Sequence, residues 1–507
     1  MAITKTKARS QPAANASGRG SSIPQLIFGD LWEYDPAPET ADPKIKPRYE
    51  LFIGGKFVAP RSGKYFNSIN PATEKVLSSI AIANAEDVDA AYQAAQRAFD
   101  SVWRKMPGQE RGKYIYRIAR LIQDRAREFA VAETMDGGKP IKESRDFDLP
   151  MAAAHFFYHA GWADKLEYGI PGRQALPLGV VGQVIPWNFP LLMLAWKIAP
   201  ALATGNCVVL KPAETTSVTA FKFAELLQEA DLPPGVVNIV SGAGETGALV
   251  MGHPIASKVA FTGSTEVGKR IMRQVAGTDK KMTMELGGKA ANIVFGDSPL
   301  DQAVEGVVNG IFFNQGHVCC AGSRLLVQES IYEVFVRKLK DRIGVLRVGN
   351  PLDKNSDIGA INSLAQLEKI TELVESGVAQ GAEMYQSSSC RLPAAGYWFK
   401  PTVFTGVTQS HRIAQEEIFG PVLSVLTFRT LGEAVEKANN TMYGLSAGVW
   451  TDKGSRILKM STELKAGVVW ANTFNKFDPS SPFGGYKESG FGREGGRQGL
   501  LDYVRLV

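Results

Sequence analysis

Cysteine is scarce in this chain, and its placement does not suit a disulfide framework. Four cysteines occur among 507 residues, namely Cys207, Cys319, Cys320 and Cys390. Adjacent Cys319 and Cys320 are poor partners for an ordinary disulfide, and no C-x-x-C motif is present. The sequence therefore favours a reducing compartment.

Histidine and unbalanced charge are also scarce, which argues against metal and nucleic-acid sites. His155 and His159, two of only five histidines, lie one helical turn apart, but no nearby acid completes a zinc motif. We predict that both are packing residues. Lysine and arginine number 57 against 51 acids, and the first 29 residues hold four of these bases and no acid. Beyond these first residues the chain is nearly balanced in charge, so we predict no nucleic-acid partner. The histidine pattern likewise predicts no bound metal.

A long uninterrupted apolar segment is missing as well. Residues 174–196 carry no charge and are numerous enough to cross a membrane. Pro186, Asn188 and Pro190 interrupt the stretch, and the backbone groups left unpaired there could not be satisfied in lipid. We expect two buried pieces joined by a structured turn, and no membrane association.

The amino-terminal residues differ in composition from the rest. Residues 1–24 are basic and rich in Ala, Ser, Thr and Gly, which predicts a disordered tail. An organellar transit peptide has a similar composition but needs an amphipathic apolar face, so a cytoplasmic location is favoured over an organellar matrix. Residues 25–47 are predicted to form an extension with an apolar patch, LIFGDLWEY, and a proline-rich connector.

From residue 48 onwards, the patterns of strands and helices predict an α/β fold. An apolar hairpin turning on Gly54 and Gly55 comes first, and long helical patterns follow it. Strands and helices then alternate to about residue 283, which predicts a parallel, doubly wound sheet. A second α/β region extends to about Phe474, and no internal repeat is found.

Two glycine-rich turns in the first region are typical of nucleotide binding. Residues 242–247 match G-x-G-x-x-G, and residues 263–270 nearly match the Walker pattern. Arg270 stands where that pattern needs a Ser or Thr for magnesium, which excludes a P-loop nucleoside triphosphatase. The two turns together predict a nucleotide pyrophosphate at helix amino termini.

The adjacent cysteines lie in a loop of small and turn-forming residues, IFFNQGHVCCAGSR (311–324). Gly316 permits a tight turn there. A cysteine presented in this way can be a nucleophile, but most unpaired cysteines are small buried apolar residues. The loop alone leaves both readings open. We expect it to begin the next helix.

Seven motifs together resemble the aldehyde dehydrogenase superfamily. In family order they are IPWNFP (185–190), KPAE (211–214), FTGSTEVG (261–268), MELGGK (284–289), FFNQGHVCCAGSR (312–324), EEIFGPV (416–422) and SPFGGYKESGFGRE (481–494). The resemblance implies a Rossmann-type parallel-sheet NAD-binding domain (48–165 and 179–283) and an α/β catalytic domain (284–484). It also implies a small oligomerisation element (166–178 and 485–507).

The resemblance implies catalytic roles for three residues. Cys319 is the nucleophile, and Asn188 with the Cys319 backbone N–H stabilises the oxyanion. Glu285 is the general base that activates water against the thioester. Such an enzyme oxidises a small-molecule aldehyde to a carboxylic acid with NAD. The alternatives are an acyl-transferring relative that uses coenzyme A, which typically lacks Glu285, and a catalytically silent scaffold subunit.

Two further sets of residues follow from the resemblance. The cofactor set is Ile185, Trp187, Lys211, Glu214, Gly244, Gly263, Ser264, Leu286, Glu417 and Phe419. The apolar substrate channel is Phe189, Met193, Trp196, Val318, Phe477 and Phe483. The Glu214 carboxylate accepts hydrogen bonds from ribose hydroxyls and repels a 2′-phosphate, so NAD is favoured over NADP.

Three departures from the family pattern bear on assembly and on the loop. His317 occupies a position where an acid or an amide is usual. Residues 166–178 are shorter than the family's hairpin and contain prolines that remove ladder donors. The chain also stops at Val507, where relatives continue into a longer strand. We therefore expect a homo-oligomer, a dimer in preference to a tetramer.

Overall fold

The computed structural model describes residues 36–507. The predicted disordered tail (1–24) and residues 25–35 of the predicted extension lie outside the described residues. Residues 36–47 follow a path without helices or strands, held by contacts to distant parts of the chain. Arg127 pairs with Glu39 at 2.7 Å, and the Ala37 N–H donates to Asp353 Oδ1 over 3.1 Å.

Strands and helices alternate along most of the described chain. The strands are β1 (Arg48–Tyr49), β2 (Leu51–Ile53), β3 (Lys56–Val58), β4 (Tyr65–Ile69), β5 (Val76–Ala81), β6 (Ala175–Pro177), β7 (Val180–Val184), β8 (Cys207–Lys211), β9 (Val237–Ile239), β10 (Ala256–Thr262), β11 (Lys281–Glu285), β12 (Ala291–Val294), β13 (Arg324–Gln328), β14 (Glu383–Tyr385), β15 (Thr402–Thr405), β16 (Val422–Phe428), β17 (Tyr443–Gly444), β18 (Ser446–Trp450), β19 (Val468–Ala471), β20 (Tyr486–Lys487), β21 (Gly490–Phe491) and β22 (Val504–Leu506).

The helices are α1 (Ala85–Ser101), α2 (Gly108–Asp124), α3 (Ala126–Gly137), α4 (Ile141–Glu143), α5 (Leu149–Trp162), α6 (Leu166–Gly169), α7 (Pro190–Ala203), α8 (Val218–Glu229), α9 (Gly244–Gly252), α10 (Thr265–Val275), α11 (Leu300–Phe312), α12 (Tyr332–Gly344), α13 (Leu364–Ala379), α14 (Arg412–Gln415), α15 (Leu431–Asn439), α16 (Gly454–Glu463) and α17 (Gly496–Leu501). A π-helical turn, Ser144–Asp148, connects α4 to α5.

The first large sheet has eight strands in the order β21-β11-β10-β7-β8-β9-β2-β3. Its central strands, β7 to β11, are parallel, and the hairpin β2–β3 adds at one edge. The connections run from β7 to β9 in one direction and through β10 to β11 in the other. This reversal is the predicted doubly wound, Rossmann-type topology, and it opens a crevice between the carboxyl ends of β7 and β10.

The second large sheet has seven strands in the order β14-β15-β16-β13-β12-β18-β19. All neighbours are parallel except β14, which pairs antiparallel with β15. Helices cover the sheet, so its central strands are buried and read as apolar runs such as VLSVLTF. The predicted second α/β region is thereby confirmed.

The uncharged stretch forms the two buried pieces predicted for it. The buried strand β7 and the fully buried helix α7 are joined by residues 185–189. Pro190 stands at the first position of α7, where a missing N–H costs nothing. Within residues 36–507, every helix is too short or too polar to pass through a bilayer.

The cysteine loop does not begin a helix, so that expectation was wrong. The loop follows α11 and leads into strand β13. Asn314, Gln315 and Gly316 have φ angles of 49°, 52° and 74°, and three successive left-handed residues end a right-handed helix. A Cβ on Gly316 would lie 2.1 Å from the Gly420 carbonyl oxygen, so this turn requires glycine.

The carboxyl-terminal residues connect the two large sheets. Strand β20 pairs with β17 beside the second sheet, and β21 adds to β11 of the first. Between them, the Ser489 hydroxyl donates to the Gly287 carbonyl over 2.6 Å and accepts from the Gly444 N–H over 3.0 Å. Farther on, β22 pairs with β6 in a ribbon whose strands have three residues each.

Candidate active site

A cavity of about 150 Å³ lies between the two large sheets, at the carboxyl ends of β10 and β11. It is bordered by the cysteine loop on one side and by the start of α7 on another. Sixteen further residues were predicted for the site besides Cys319, Glu285 and Asn188. Those that line the cavity are Trp187, Gly263, Ser264, Leu286, Glu417 and Phe419 from the cofactor set and Phe189, Met193, Trp196, Val318, Phe477 and Phe483 from the substrate set.

The two cysteines of the loop differ in their surroundings. Cys320 is only 1% exposed, and its sulfur lies 3.9 Å from Asn475 Oδ1. Cys319 is half-buried and lines the cavity. A hydrogen bond with Cys320, together with burial, raises the pKa of the Cys319 thiol well above its usual value. Cys319 therefore rests as a thiol and needs a base before it can attack.

Asn188 is fixed between the cysteine loop and α7. Its Nδ2 donates to the His317 carbonyl over 2.9 Å, and its own carbonyl accepts from Asn314 Nδ2 over 2.8 Å. The Asn314 N–H in turn donates to Glu143 Oε2 over 2.8 Å. A primary amide has two N–H groups, so one N–H of Asn188 is left for a ligand in the cavity.

Glu285 ends strand β11 and is 4% exposed. Neither carboxylate oxygen has a hydrogen-bond partner among residues 36–507. Burial, and then the negative charge of Glu494, raise the pKa of Glu285 well above its usual value. A buried carboxyl with free oxygens beside a cysteine is suited to accept a proton once it is ionised.

Glu494 and Lys197 were missed as site residues. Glu494 lines the cavity and forms a fully buried ion pair with Lys197 on α7. The sequence does indicate that Lys197 is unusual, because it is the only charged residue in the apolar sequence of α7, PLLMLAWKIAPALA. A lone charge on a buried helix needs a partner, although the sequence does not say which acid supplies it.

Three aromatic rings stand on the cofactor side of the cysteine loop. The ring centroid of His317 lies 4.8 Å from that of Trp187 and 5.8 Å from that of Phe419. Burial lowers the pKa of His317 to about 3, so the imidazole is neutral near pH 7. The unusual histidine therefore packs as an uncharged ring between two residues of the predicted cofactor set.

Four residues of the cofactor set lie outside the cavity lining, nearer the crevice of the first sheet. Lys211 ends β8 and pairs with Glu214 at 3.3 Å, and the Glu214 side chain is 49% exposed. The Ile185 N–H donates to the Lys211 carbonyl over 3.1 Å, which ties the ends of β7 and β8 together. Gly244 opens helix α9. Polar groups and a helix amino terminus thus face the place where a doubly wound sheet binds nucleotides.

Two other residues of the cofactor set, Ser264 and Glu417, each accept a hydrogen bond from a backbone N–H. Ser264 caps α10, its Oγ accepting from the Val267 N–H over 3.3 Å. Glu417 Oε1 accepts from the Gly288 N–H over 2.8 Å. A Cβ on Gly287 would lie 2.4 Å from Glu417 Oε2, so that approach requires glycine. The glycines of MELGGK thereby bring Glu417 to the cavity.

The side chains that could bind a metal ion are scattered over the described residues. Within the described part of the chain, no group of three or more His, Cys, Asp or Glu side chains could hold a metal ion. His155 and His159 are buried on α5, with ring centroids 6.1 Å apart.

The fold and the cavity together define a class, an α/β protein whose nucleotide-type sheet faces a cysteine loop. The sequence model of the aldehyde dehydrogenase family matches residues 57–507, and the chain belongs to that family. This confirms the resemblance seen in the seven motifs.

Individual relatives agree along almost the whole chain. Retinal dehydrogenase 2 of Homo sapiens is 45% identical over 479 residues, covering 92% of this chain and 92% of that protein. An aldehyde dehydrogenase of Alternaria alternata is 44% identical over 465 residues, covering 90% and 93%. The solved NAD⁺ complex of the Bacillus cereus aldehyde dehydrogenase superposes with a TM-score of 0.90 at 42% identity, covering 93% of this chain and 99% of that one.

Proposed function

We propose that the protein oxidises a small-molecule aldehyde to a carboxylic acid, with NAD as the cofactor and Cys319 as the nucleophile. The observation that carries the proposal is the meeting of Cys319, Asn188 and Glu285 on one cavity beside a nucleotide-type sheet. Family membership supports the reaction class, and the NAD⁺ complex of the Bacillus cereus relative supports the cofactor.

In the first half-reaction, the Cys319 sulfur bonds to the aldehyde carbon and the carbonyl oxygen gains negative charge. Because the pKa of Cys319 is raised, ionised Glu285 first takes the thiol proton. Glu285 then passes this proton through Glu494 to solvent, so that it is ionised again before the second half-reaction. The free N–H of Asn188 and the Cys319 N–H stabilise the oxyanion, and one such donor is worth about 10²–10³ in rate. When bound, NAD supplies the acceptor for the hydride that leaves the adduct carbon.

In the second half-reaction, the thioester on Cys319 is hydrolysed. Glu285 removes a proton from water as the water oxygen bonds to the acyl carbon, and the carbon–sulfur bond then breaks. Glu494, paired with Lys197 on the same cavity, is placed to relay the proton from Glu285. The thiolate released from the acyl carbon takes up a proton from solvent, so Cys319 rests again as a thiol, and the acid product leaves.

The residues of the cofactor set fit NAD by their chemistry. Glu214 would hold the adenosine ribose with Lys211, and its exposed carboxylate would repel the phosphate of NADP. Ser264, at the start of α10, would contact the pyrophosphate together with Trp187. Glu417 and Phe419 would contact the nicotinamide ribose.

Two other functions are disfavoured by Glu285. An acyl-transferring relative that uses coenzyme A has no need of a base for water, yet Glu285 faces the cavity with both oxygens free of partners within residues 36–507. A silent scaffold subunit has no need to keep the base, the nucleophile and Asn188 on one cavity.

For assembly, we propose a homodimer. Within the element predicted for oligomerisation, β6 and β22 pair with each other as a two-stranded ribbon, and the Gln174 N–H donates to the Val507 carbonyl over 2.9 Å at its end. Because each strand has three residues and Pro177 ends β6, the ribbon offers few backbone donors to a neighbour's sheet. Light scattering during gel filtration tests this, since a stable tetramer at micromolar concentration would contradict it.

The activity is tested with the purified full chain, NAD and a panel of aliphatic and aromatic aldehydes, by following the absorbance of the reduced cofactor. We expect cofactor reduction together with stoichiometric release of carboxylic acid. Reduction that requires added coenzyme A would favour the acyl-transferring alternative, and no reduction with any aldehyde would favour the silent one.

A further inference from the structure

We propose that Phe147 is a specificity-determining residue, which restricts the substrate to small apolar aldehydes carrying no more than about one aromatic ring. The proposal deepens the proposed function and rests on it. Phe147 belongs to none of the seven sequence motifs, and it was not expected at the site.

Phe147 stands at the centre of the rings that enclose the aldehyde side of the cavity. Its ring centroid lies 5.3 Å from that of Phe313, 5.9 Å from that of Phe477 and 6.4 Å from that of Phe189. All four rings line the cavity. With Trp196 and Phe483 they form a continuous aromatic wall, and such walls favour flat or slender apolar groups that meet ring faces and edges.

The backbone that carries Phe147 is firmly held. The residue lies in the π-helical turn Ser144–Asp148, a rare geometry that is frequent at functional sites. The next residue, Asp148, forms a fully buried ion pair with Lys139, which also contacts Glu133 at 3.1 Å. Shifting the backbone of this turn would disturb these buried charges, and breaking such a pair is costly, while the ring itself packs against Phe189, Phe313 and Phe477. Phe147 therefore acts as a fixed wall.

The size of the cavity sets the limit on the substrate. Pockets for drug-sized ligands enclose about 300–1,000 Å³, whereas an apolar cavity of about 150 Å³ takes a molecule the size of benzene. The whole cavity here measures about 150 Å³, and it includes the cofactor end around Ser264 and Glu417. An aldehyde with two fused rings would meet the Phe147 ring.

The test compares benzaldehyde with 2-naphthaldehyde for the unmodified protein, Phe147→Ala and Phe147→Leu. We expect the unmodified protein to prefer benzaldehyde in kcat/KM. Phe147→Ala should raise the ratio of 2-naphthaldehyde to benzaldehyde at least about 10-fold, the scale on which a pocket senses added carbon. The ratio for Phe147→Leu should lie between those of the unmodified protein and Phe147→Ala. The leucine variant keeps the test decisive if the alanine variant does not fold.

Phe157→Ala is the matched control, because Phe157 is also half-buried and packs against Tyr116 on the far side of α5, outside the cavity. It should keep the unmodified ratio. An unmodified protein that uses 2-naphthaldehyde as well as benzaldehyde would overturn the proposal. So would an unchanged ratio in both Phe147 variants.

A binding measurement separates this proposal from the proposed function. Benzamide and 2-naphthamide are unreactive analogues, and calorimetry reports their affinities without turnover. Phe147→Ala should gain affinity for 2-naphthamide relative to benzamide. If the protein oxidised no aldehyde but showed this gain, the proposed function would fail while the size limit stood. An unchanged relative affinity would overturn the size limit, whatever the activity.

Discussion

The two sides of the cavity are built in opposite ways. On the cofactor side, Glu214 and Ser264 are exposed, and the first turns of two helices present polar groups. On the aldehyde side, six aromatic rings line the cavity together with Glu285, which is 4% exposed. The open side suits a cofactor that must exchange at every turnover. The closed side suits chemistry that water would interrupt.

The same contrast appears in the ionisation of the side chains. The hydrogen bond with Cys320, together with burial, raises the pKa of Cys319, and burial raises the pKa of Glu285, so both groups stay neutral when no ligand is present. The Glu214 carboxylate, by contrast, is exposed to water on the cofactor side. The closed side thus carries reactivity, and the open side carries selection of the cofactor.

The largest effect is expected from the nucleophile. Cys319→Ala should lower aldehyde oxidation by about 10⁴-fold or more, because no other group can form the adduct. NAD affinity, measured by calorimetry, should survive because the cofactor side is untouched. Cys320→Ala is the matched control and should keep much of the activity. The reverse pattern would assign the nucleophile to Cys320.

The next effect separates the two half-reactions. Glu285→Gln should lower the steady rate by about 10²–10⁴-fold, the range of general-base catalysis. Stopped-flow absorbance should show a burst that is slower than in the unmodified protein but still reaches one reduced cofactor for each active site, because the Cys319 proton can leave to water while the thioester then persists. In the unmodified protein kcat should rise with pH as Glu285 ionises, and this rise should vanish in the variant. An unchanged steady rate would dismiss Glu285 as the base.

The features that the sequence predicted correctly are those encoded by a few consecutive residues. Alternating apolar strands and amphipathic helices are local patterns, so the doubly wound sheet was predictable. The seven motifs likewise predicted Cys319, Glu285 and Asn188 as site residues, and the structure brings all three to one cavity. These signals sufficed because each one lies in a few consecutive residues.

The missed features depend on geometry that the sequence does not state. The loop before Cys319 leaves α11 through left-handed φ angles at Asn314 and Gln315, which neither residue type demands. Phe147 reads as one more apolar residue near a helix, and only the π-helical turn decides that its ring lines the cavity. Lys197 and Glu494 pair across 297 residues.

A smaller effect is expected on the open side. Glu214→Gln should narrow the preference for NAD over NADP in kcat/KM by about 10-fold, because it removes repulsion of the 2′-phosphate. Exposure to water limits the size of the change. Glu245→Gln, an exposed change on α9, serves as the control. Equal use of both cofactors by the unmodified protein would contradict the role of Glu214.

The smallest effect concerns stability on the closed side. Burial raises the pKa of Glu143 from 4.5 to about 8. The native state therefore favours protonated Glu143, and the resulting stabilisation is complete below about pH 4.5 and lost as pH rises towards 8. Glu143→Gln stays neutral and can still accept from the Asn314 N–H. Its Tm should match that of the unmodified protein near pH 4.5 and exceed it by several degrees at pH 8.5.

Exposed Glu375 on α13 provides the control for this measurement. Glu375→Gln should leave the dependence of Tm on pH unchanged. A Glu143→Gln variant whose Tm follows the unmodified protein at every pH would show that Glu143 does not bury a charge.

The segment around Ser489 has a consequence for how the protein is made. Strand β21 and the Ser489 hydroxyl complete the surroundings of Glu285 and Gly287, yet they lie about 200 positions later in the chain. A ribosome has therefore released both large sheets almost entirely before these contacts can form. During synthesis the cavity stays unfinished until residues 489–491 emerge. Catalytic competence is thus acquired only after both large sheets have left the ribosome, rather than domain by domain.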